Sequence, residues 1–241
     1  MVNGLDEVEK AKLMAAKYAL RLILPSHRII GIGTGSTVEK FIQLLGEKRK
    51  LFHDRVFVAS SIDTALKLRD HGFNVLSTTT IDKIDVYIDG ADEVDPEMNM
   101  IKGGGAAHVL EKILAYNAGT RIFIVDYTKL VSRLGEKHPV PVEVLPEALL
   151  FVYRKIMELG LRVDIRKSGG GKYGVVISDT RGVIIDIHLD KPVDAAELER
   201  ALCGTPGVIG TGFFIGLADK IIVGYPDHVE IIEKTRKTRA S

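Results

Sequence analysis

Short apolar runs alternate with helix-like stretches through the first 126 residues of the chain. The runs have the length and β-branched content of buried strands, and they lie at 28–33, 56–59, 74–76, 84–88 and 121–126. The stretches between or before them predict helices at 6–24, 38–45, 63–71 and 106–118. Strands that alternate with helices are typical of a parallel sheet, so this part of the chain predicts an α/β architecture.

The pattern changes after residue 137. Strand-like runs at 139–144, 162–166, 175–178, 183–188 and 208–214 are interrupted by only two helical stretches, 146–159 and 194–202. The prolines in 139–144 suit an edge strand, because proline cannot donate a backbone hydrogen bond to a neighbour. Hairpin turns, including the glycine cluster 169–171, separate the middle strands. The order β-α-β-β-β-α-β indicates an α+β module of the ferredoxin-like kind.

A last strand-like run at 220–224 is expected to return to the first sheet. The predicted fold is therefore a Rossmann-like parallel-sheet domain with a smaller, ferredoxin-like α+β domain inserted before the C-terminal strand. We expect residues 1–133 and 212–241 to form the first domain. Residues 134–211 form the second, which we expect to serve as a lid or in oligomerisation.

The composition excludes several classes of function. The net charge is +1, which gives no electrostatic reason to expect nucleic acid or an anionic membrane as partner. The single cysteine, Cys203, rules out an internal disulfide and a cysteine metal cluster. No apolar run approaches the ~20 residues that span a bilayer, and the N-terminal residues lack a signal-peptide pattern. We therefore expect a cytoplasmic protein, and we interpret the basic tail at 234–239 as a frayed helix end.

A glycine-rich loop follows the first predicted strand. Residues 31–37 read Gly-Ile-Gly-Thr-Gly-Ser-Thr, and free amides and hydroxyls at the start of a helix favour an anion. A dinucleotide site would need glycine at position 36, where Ser36 stands, and an acid after the second strand, where Ser60 and Ser61 stand. The loop also lacks the Gly-Lys-Ser/Thr of a P-loop. A single phosphate fits this loop better than a nucleotide, and a plain tight turn is the alternative.

Acids and a lysine are concentrated between residues 85 and 113. Asp89 directly follows an apolar strand, at the carboxyl end where open α/β sheets place their ligands. Asp92 follows in the same turn, and Lys102 precedes a triple glycine. The acids lack EF-hand spacing and a histidine cluster, so we expect no metal. The alternative for Asp89 and Asp92 is a pair of surface turn acids.

Other candidates in this region are less distinctive. Glu111 lies on the helix after the triple glycine, and its spacing alone favours a solvated helix face. His108 is expected at the surface or behind the site rather than as a catalyst, while Lys129 follows the fifth strand at its carboxyl end. Together the residues predict a small phosphorylated ligand at the sheet's carboxyl edge, with a carboxylate and a lysine available for proton transfer.

Four motifs in this order resemble ribose-5-phosphate isomerases of the A type, and the resemblance covers nearly the whole chain. The motifs are Gly-Thr-Gly-Ser-Thr at 33–37, Asp-Gly-Ala-Asp-Glu at 89–93, Lys-Gly-Gly-Gly-Ala-Ala at 102–107 with Glu-Lys-Ile at 111–113, and Pro-Val-Pro-Val-Glu-Val at 139–144. Leu110 and His108 depart from the family pattern around Glu111, but neither departure removes a catalytic group.

The resemblance implies reversible isomerisation of D-ribose 5-phosphate and D-ribulose 5-phosphate through an enediolate, in the non-oxidative pentose phosphate pathway. It implies that Glu111 is the base that moves a proton between C2 and C1, and that Asp89, Asp92 and Lys102 open the furanose ring and stabilise the enediolate. The implied substrate contacts are Thr34, Gly35, Ser36, Thr37, Gly90, Ala91, Gly103, Gly104, Gly105, Lys129 and, in the first helix, Lys12. It also implies no metal, no cofactor, and a homodimer or homotetramer.

Two other functions compete with this one. A non-catalytic sugar-phosphate sensor on the same sheet would need no general base, so the presence of Glu111 and Lys102 counts against it. An amino-sugar phosphate deaminase on a similar scaffold is the third possibility, and no feature of the sequence calls for it.

Overall fold

The computed structural model describes residues 2–170 and 173–234, with side chains described from residue 6 onward. The helices are α1 (Val2–Leu20), α2 (Ser36–Glu47), α3 (Arg49–Phe52), α4 (Ile62–Asp70), α5 (His108–Asn117), α6 (Leu149–Glu158) and α7 (Ala195–Cys203). The strands are β1 (Ile29–Ile32), β2 (Val56–Ala59), β3 (Asn74–Leu76), β4 (Ile84–Asp89), β5 (Glu93–Val94), β6 (Met100–Ile101), β7 (Ala118–Asp126), β8 (Val140–Val144), β9 (Arg162–Ile165), β10 (Val183–His188), β11 (Val208–Thr211), β12 (Phe213–Phe214), β13 (Lys220–Gly224) and β14 (Val229–Glu233).

A seven-stranded sheet forms the larger part of the molecule, in the order β14-β13-β7-β4-β1-β2-β3. All neighbouring pairs are parallel except β13 and β14. The predicted α/β fold with a parallel sheet is confirmed, and residues 220–224 return to this sheet beside β7 as expected.

The chain changes direction across this sheet between β1 and β4. From β1 it moves outward to β2 and β3, and it then crosses back to place β4 on the other side of β1. Loops that leave two such neighbouring strands in opposite directions open a crevice at their carboxyl ends. The fold therefore predicts that the loops after β1 and β4 share one ligand site.

Helices cover both faces of this sheet. One apolar core includes residues of α1 and α2 on one face, and another includes residues of α5 on the opposite face. In the second core the rings of Tyr87, Phe123 and Phe214 pack edge to face, with successive centroid distances of 6.1 and 6.3 Å. Burial of each large apolar side chain contributes roughly 1.5–3 kcal/mol to the stability of the fold. This aromatic row therefore packs firmly beneath the carboxyl edge of the sheet.

A four-stranded antiparallel sheet contains β8 to β11 in the order β11-β8-β10-β9. With α6 and α7 in the connections, this is the predicted ferredoxin-like arrangement. The boundaries of the two domains at 133/134 and 211/212 remain a prediction. The predicted strand at 175–178 is wrong, because Val175 and Ile177 make only isolated bridges.

The prediction that 139–144 is an edge strand is also wrong, because β8 pairs with β10 on one side and β11 on the other. Pro141 is tolerated because it lies opposite Gly212, one residue past the end of β11, so the pairing of β8 with β11 does not require an N–H from Pro141. The Pro141 carbonyl still accepts from the amide of Gly212 at 2.7 Å. The Gly212 carbonyl, which Pro141 cannot bond, accepts instead from the amide of Lys102 at 2.9 Å.

The predicted single strand at 208–214 is divided at Gly212. β11 belongs to the four-stranded sheet, whereas β12 pairs with β6 in a small three-stranded sheet, β12-β6-β5. A Cβ atom on Gly212 would lie 2.3 Å from the Lys102 carbonyl oxygen, so only glycine allows the backbones to pass this closely. This crossing joins the two large sheets next to Lys102.

The C-terminal strand β14 is missed by the sequence prediction. It is an edge strand whose residues are mostly exposed, so it has no buried apolar run to identify it. A strand, not a helix, therefore precedes the basic tail. Residues 235–239 of that tail, and Gly171 of the predicted glycine-rich turn, lie outside the described residues.

Candidate active site

The loops after β1 and β4 meet at the switch point. Ile32 and Ile88 are paired in register, and the Gly33 amide donates to the Ile88 carbonyl at 2.9 Å. A Cβ atom on Gly33 would lie 1.8 Å from Asp89 Oδ1, so glycine at this position leaves room for the Asp89 carboxylate. The arrangement explains why the glycine loop and the acidic turn occur together.

Asp89 is completely buried at the end of β4. Its Oδ1 accepts from the amides of Gly90 at 2.7 Å and Thr34 at 3.2 Å. Its Oδ2 accepts from the Tyr87 hydroxyl at 2.5 Å and lies 2.8 Å from Lys102 Nζ. Burial raises the pKa of Asp89, but Lys102 opposes this effect and holds the carboxylate in an ion pair. Asp89 therefore fixes the loop after β1 and the lysine at the same time.

Lys102 carries the positive charge at the floor of the site. Its Nζ lies 2.7 Å from the Gly90 carbonyl oxygen and 3.2 Å from Glu111 Oε2, in addition to the contact with Asp89. The ring of Phe214 lies beneath it, 5.6 Å from the Nζ to the ring centroid, which is within cation–π range. Burial alone would lower the pKa of Lys102, but the charges of Asp89 and Glu111 raise it overall. The side chain is thus a fixed ammonium ion.

Glu111 lies in the first turn of α5 and is only 2 % exposed. The solvated helix face that its spacing favours is therefore wrong. The reason is that α5 begins at His108 and packs against β4 and β11, which turns its first turn inward. Burial and the negative charge of Asp89 raise the pKa of Glu111 to about 8, although Lys102 opposes them. A carboxylate with a pKa near neutrality can both accept and return a proton.

This raised pKa makes a prediction about stability. The folded protein holds the Glu111 proton more tightly than the unfolded chain does, so the stabilising contribution is present at low pH and is lost as pH rises from about 4.5 to about 8. Because glutamine does not titrate, the Glu111→Gln variant lacks this decrease in stability with rising pH. We expect the melting temperature of the variant, relative to wild type, to increase between pH 5 and pH 9. Thermal denaturation of both proteins across this range tests it, and a pH-independent difference would contradict it.

A cleft of about 130 Å³ opens above these groups. Its lining comprises Thr34, Gly35, Ser36, Thr37, Gly90, Ala91, Asp92, Lys102, Gly103, Gly104, Gly105, Glu111 and Lys129. Every site residue named in the sequence analysis as catalytic or as a substrate contact lines this cleft, except Asp89 and Lys12. Asp89 lies beneath the floor, and Lys12 lies on α1 with its Nζ 2.8 Å from Glu9 Oε1. A phosphate contact by Lys12 remains a prediction.

One end of the cleft is formed by the start of α2. The helix begins at Ser36 after Gly35, whose φ of 143° favours glycine. The first amides of a helix have no intrahelical acceptor and carry partial positive charge, so they favour an anion. Lys129, in a 3₁₀ turn after β7, also lines the cleft. This end has the chemistry of a phosphate site.

Asp92 and the triple glycine form the other wall. Asp92 Oδ2 accepts from the Gly104 amide at 2.8 Å. Gly103 has a φ of 102°, and the ring of His108 packs directly beneath it. His108 is fully buried and lies outside the cleft lining, and burial lowers its pKa to about 3. A neutral imidazole in this position supports the loop. The expected surface position of His108 is wrong because the ring is fully buried, and its other expected position, behind the site, is the one observed.

Neither a metal site nor a membrane span is found in the described part of the chain. Among those residues there is no group of three or more His, Cys, Asp or Glu side chains that could hold a metal ion. No helix there is long and apolar enough to cross a membrane.

The sequence profile of one protein family matches residues 56–228, which is more than half of the chain. That family is described as ribose 5-phosphate isomerase A (phosphoriboisomerase A). The chain belongs to the ribose-5-phosphate isomerase A family. A relative of that name from Pyrococcus horikoshii is 43% identical over 229 residues, covering 94% of this chain and 99% of the relative. Another from Thermosynechococcus vestitus is 40% identical over 221 residues, covering 91% of this chain and 93% of the relative.

Solved structures of this isomerase family share the fold. A D-ribose-5-phosphate isomerase in complex with phospho-erythronic acid superposes with a TM-score of 0.89 at 42% identity, covering 94% of this chain and 99% of that one. The ribose 5-phosphate isomerase A of Methanocaldococcus jannaschii gives 0.88 at 37% identity, with the same coverage. The chain is therefore an isomerase of this family.

Sequence reasoning missed several residues of this isomerase site. Tyr87 could have been found, because residues two apart on a strand share a face and Tyr87 precedes Asp89 by two. Thr34 Oγ1 lies 2.9 Å from Ser60 Oγ and 2.8 Å from Ser61 Oγ, so the two serines that stand where a dinucleotide site would have an acid fix the glycine-rich loop after β1. Arg166 comes from the other sheet, and the sequence carries no local signal for its contact with the glycine loop.

Proposed function

We propose that this isomerase interconverts D-ribose 5-phosphate and D-ribulose 5-phosphate. The observation that carries the proposal is the buried cluster of Asp89, Lys102 and Glu111 at one end of a cleft whose other end is a helix N-terminus. A phosphorylated sugar matches both ends, with its phosphate at the helix and its carbonyl carbons at the cluster. The names of the relatives support this choice of substrate.

The phosphate is proposed to bind the amides and hydroxyls of Ser36 and Thr37, with Lys129 opposite and Lys12 as a further cation. A helix N-terminus and a lysine both favour a dianion. Binding at this remote end orients the reacting carbons over Glu111, so that part of the phosphate binding energy is used for positioning.

Proton transfer is proposed to begin once the sugar ring is open. Asp92 lines the cleft and has one oxygen, Oδ1, free of the Gly104 amide, so it is placed to exchange a proton with the ring oxygen. Asp89 acts through Lys102, whose position and charge it fixes. Glu111 then takes the C2 proton of the aldose, and C1 and C2 become the enediolate with the negative charge on the C1 oxygen. The same carboxyl group, whose proton can exchange with solvent before it is delivered, then protonates C1. The proton of the C2 hydroxyl moves to the C1 oxygen, and C2 becomes the carbonyl of the ketose.

The developing oxyanion is proposed to be stabilised by Lys102 and by amides of the triple glycine. A preorganised donor of this kind contributes about 3–4 kcal/mol, because it is already oriented when the charge appears. Neither a metal nor a cofactor enters this mechanism. The raised pKa of Glu111 suits a base that must release its proton in every turnover.

The wider setting follows the same proposal. We place the reaction in the non-oxidative pentose phosphate pathway of the cytoplasm, without nucleic acid or membrane partners. We also propose that residues 134–211 form a lid or oligomerisation domain in a homodimer or homotetramer. Exposed apolar side chains on α6, namely Leu150 and Met157, are consistent with such an interface.

The direct test is turnover of D-ribose 5-phosphate by the purified chain in the presence of EDTA. We expect D-ribulose 5-phosphate to accumulate to equilibrium at a rate unaffected by the chelator. Binding of the sugar phosphate without turnover would indicate the sensor instead, and loss of activity with EDTA would contradict the metal-free mechanism. Release of ammonia from an amino-sugar phosphate would indicate the deaminase.

A further inference from the structure

Arg166 follows β9 in the four-stranded sheet and reaches the glycine loop of the cleft. Its Nη1 donates to the Gly103 carbonyl oxygen at 2.8 Å and to the Gly104 carbonyl oxygen at 3.1 Å. The side chain is only 17% exposed, so water screens these charge-assisted bonds weakly. One guanidinium group therefore holds two successive peptide groups of the loop.

The guanidinium is itself held from behind. Asp186, on β10, accepts from Arg166 Nε at 2.8 Å and from Nη2 at 2.5 Å. This bidentate geometry fixes the plane of the guanidinium as well as its distance. The Asp186 side chain is 13% exposed, so the pair is rigidly placed between β10 and the loop.

The first of the two peptide groups is fixed at both ends. The Gly103 carbonyl binds Arg166, and the amide of Gly104 donates to Asp92 Oδ2 at 2.8 Å. In the second peptide group, the Gly104 carbonyl oxygen accepts from Arg166 Nη1. Because a trans peptide directs its C=O and N–H to opposite sides, the Gly105 N–H points away from Arg166. Gly105 lines the cleft, and its N–H has no acceptor among the described residues.

We propose that Arg166 is a positioning residue that holds the Gly103–Gly105 loop so that the Gly105 N–H faces the developing oxyanion of the substrate. The inference rests on the proposed isomerase mechanism and adds to it a residue from the other sheet. Arg166 also draws electron density through the Gly104 carbonyl, which strengthens the Gly105 N–H as a donor. Within the loop, the Ala106 amide donates to the Gly103 carbonyl at 3.0 Å. Three consecutive glycines have large conformational freedom around this single turn, and Arg166 restricts it from outside the loop.

The effect of losing Arg166 falls on the reaction more than on substrate binding. Arg166→Ala leaves the α2 phosphate end and Glu111 in place but releases the glycine loop. A displacement of about 1 Å in a positioned group can cost about 10²-fold in rate. We expect kcat for ribose 5-phosphate to fall by about 10²-fold, with KM and the Ki of inorganic phosphate changed by less than about threefold.

The experiment compares Arg166→Ala and Arg166→Lys with Arg162→Ala, in which an exposed arginine of the same strand region that pairs with Asp190 is removed. Guanidinium ion at non-denaturing concentration should restore part of the kcat of Arg166→Ala and leave Arg162→Ala unchanged. Lysine should rescue poorly, because it cannot bind Asp186 bidentately while holding two carbonyls. An unchanged kcat in Arg166→Ala would overturn the proposal, as would a loss that guanidinium does not restore.

A second measurement separates this inference from the proposed function. Amide hydrogen exchange over residues 102–107 should be faster in Arg166→Ala than in wild type or Arg162→Ala. If the wild type does not turn over ribose 5-phosphate, the proposed function fails, whereas the exchange result still tests the contact of Arg166 with the loop. Unchanged exchange in Arg166→Ala contradicts the positioning role whether or not the substrate is correct.

Discussion

Glu111→Gln is expected to lower kcat for ribose 5-phosphate by about 10²- to 10⁴-fold, which is the range for losing a positioned general base. Glutamine preserves the size of the side chain but cannot accept the C2 proton. Since the amide can still pack in the buried first turn of α5, the fold and the phosphate end should be retained. Steady-state kinetics, with circular dichroism and the Ki of inorganic phosphate, measure these effects together.

The matched control is Glu197→Gln, which changes an exposed glutamate in the first turn of α7. It should leave kcat within about twofold of wild type. In the wild type, kcat/KM should rise with pH as Glu111 loses its proton, with a midpoint above the ordinary carboxylate range because its pKa is raised to about 8. Equal activity of Glu111→Gln and wild type would remove Glu111 from the mechanism.

Lys102→Met is expected to lower kcat by about 10²- to 10³-fold, the cost of removing one preorganised donor to an oxyanion. It should also move the acid limb of the pH–rate profile to higher pH. The reason is that Lys102 lowers the pKa of Glu111 in the wild type. In the variant this charge is gone, so Lys102 no longer opposes the increase in pKa that Asp89 causes. A lower kcat and a shifted profile together identify an electrostatic role, since a general loss of packing would lower activity without moving the profile.

Removal of this lysine leaves buried carboxylates without a cation, and breaking a buried ion pair costs roughly 3–5 kcal/mol. Urea denaturation of the variant should therefore be measured, and the double variant Lys102→Met with Asp89→Asn reduces the uncompensated charge if the single variant does not fold. Lys112→Met is the control, because Lys112 lies 5.3 Å from the same Phe214 ring but pairs with Glu199 outside the cleft. A pH–rate profile of Lys102→Met that matches wild type would contradict the account.

The parts of the site that could be predicted from sequence follow directly from single strands. Asp89 ends an apolar run and Gly33 to Thr37 follow another, so a parallel sheet brings them to one edge. The seven-stranded sheet confirms that reasoning, because β1 and β4 are neighbours at the point where the chain changes direction. Local pattern sufficed here because strand direction alone places these residues.

Glu111 and Arg166 could not be placed by local pattern. Glu111 is buried because α5 packs against β4 and β11, and β11 lies about 100 residues further along the chain. Arg166 reaches Gly103 across 63 residues of sequence and between two sheets. The periodicity of a helix shows which residues share a face, but not which neighbour that face will meet.

The wrong strand predictions have a similar origin. Residues 175–178 have the apolar alternation of a strand but find no continuous partner, since β10 is already paired with β8 and β9. β8 contains Pro141 and still lies inside its sheet, because the missing donor falls where β11 has ended. In both places the positions of neighbouring strands, rather than local propensity, decide the structure.

Solvent isotope incorporation tests most directly the claim that Glu111 carries a proton between C2 and C1. Wild-type protein, ribose 5-phosphate and EDTA in D₂O are followed to many turnovers by NMR and mass spectrometry, beside Glu111→Gln. We predict that deuterium enters C1 of ribulose 5-phosphate at one of its two positions in the wild type, and at least 10²-fold more slowly in the variant. Equal rates of isomerisation and of deuterium incorporation at C1 in both proteins would contradict the account.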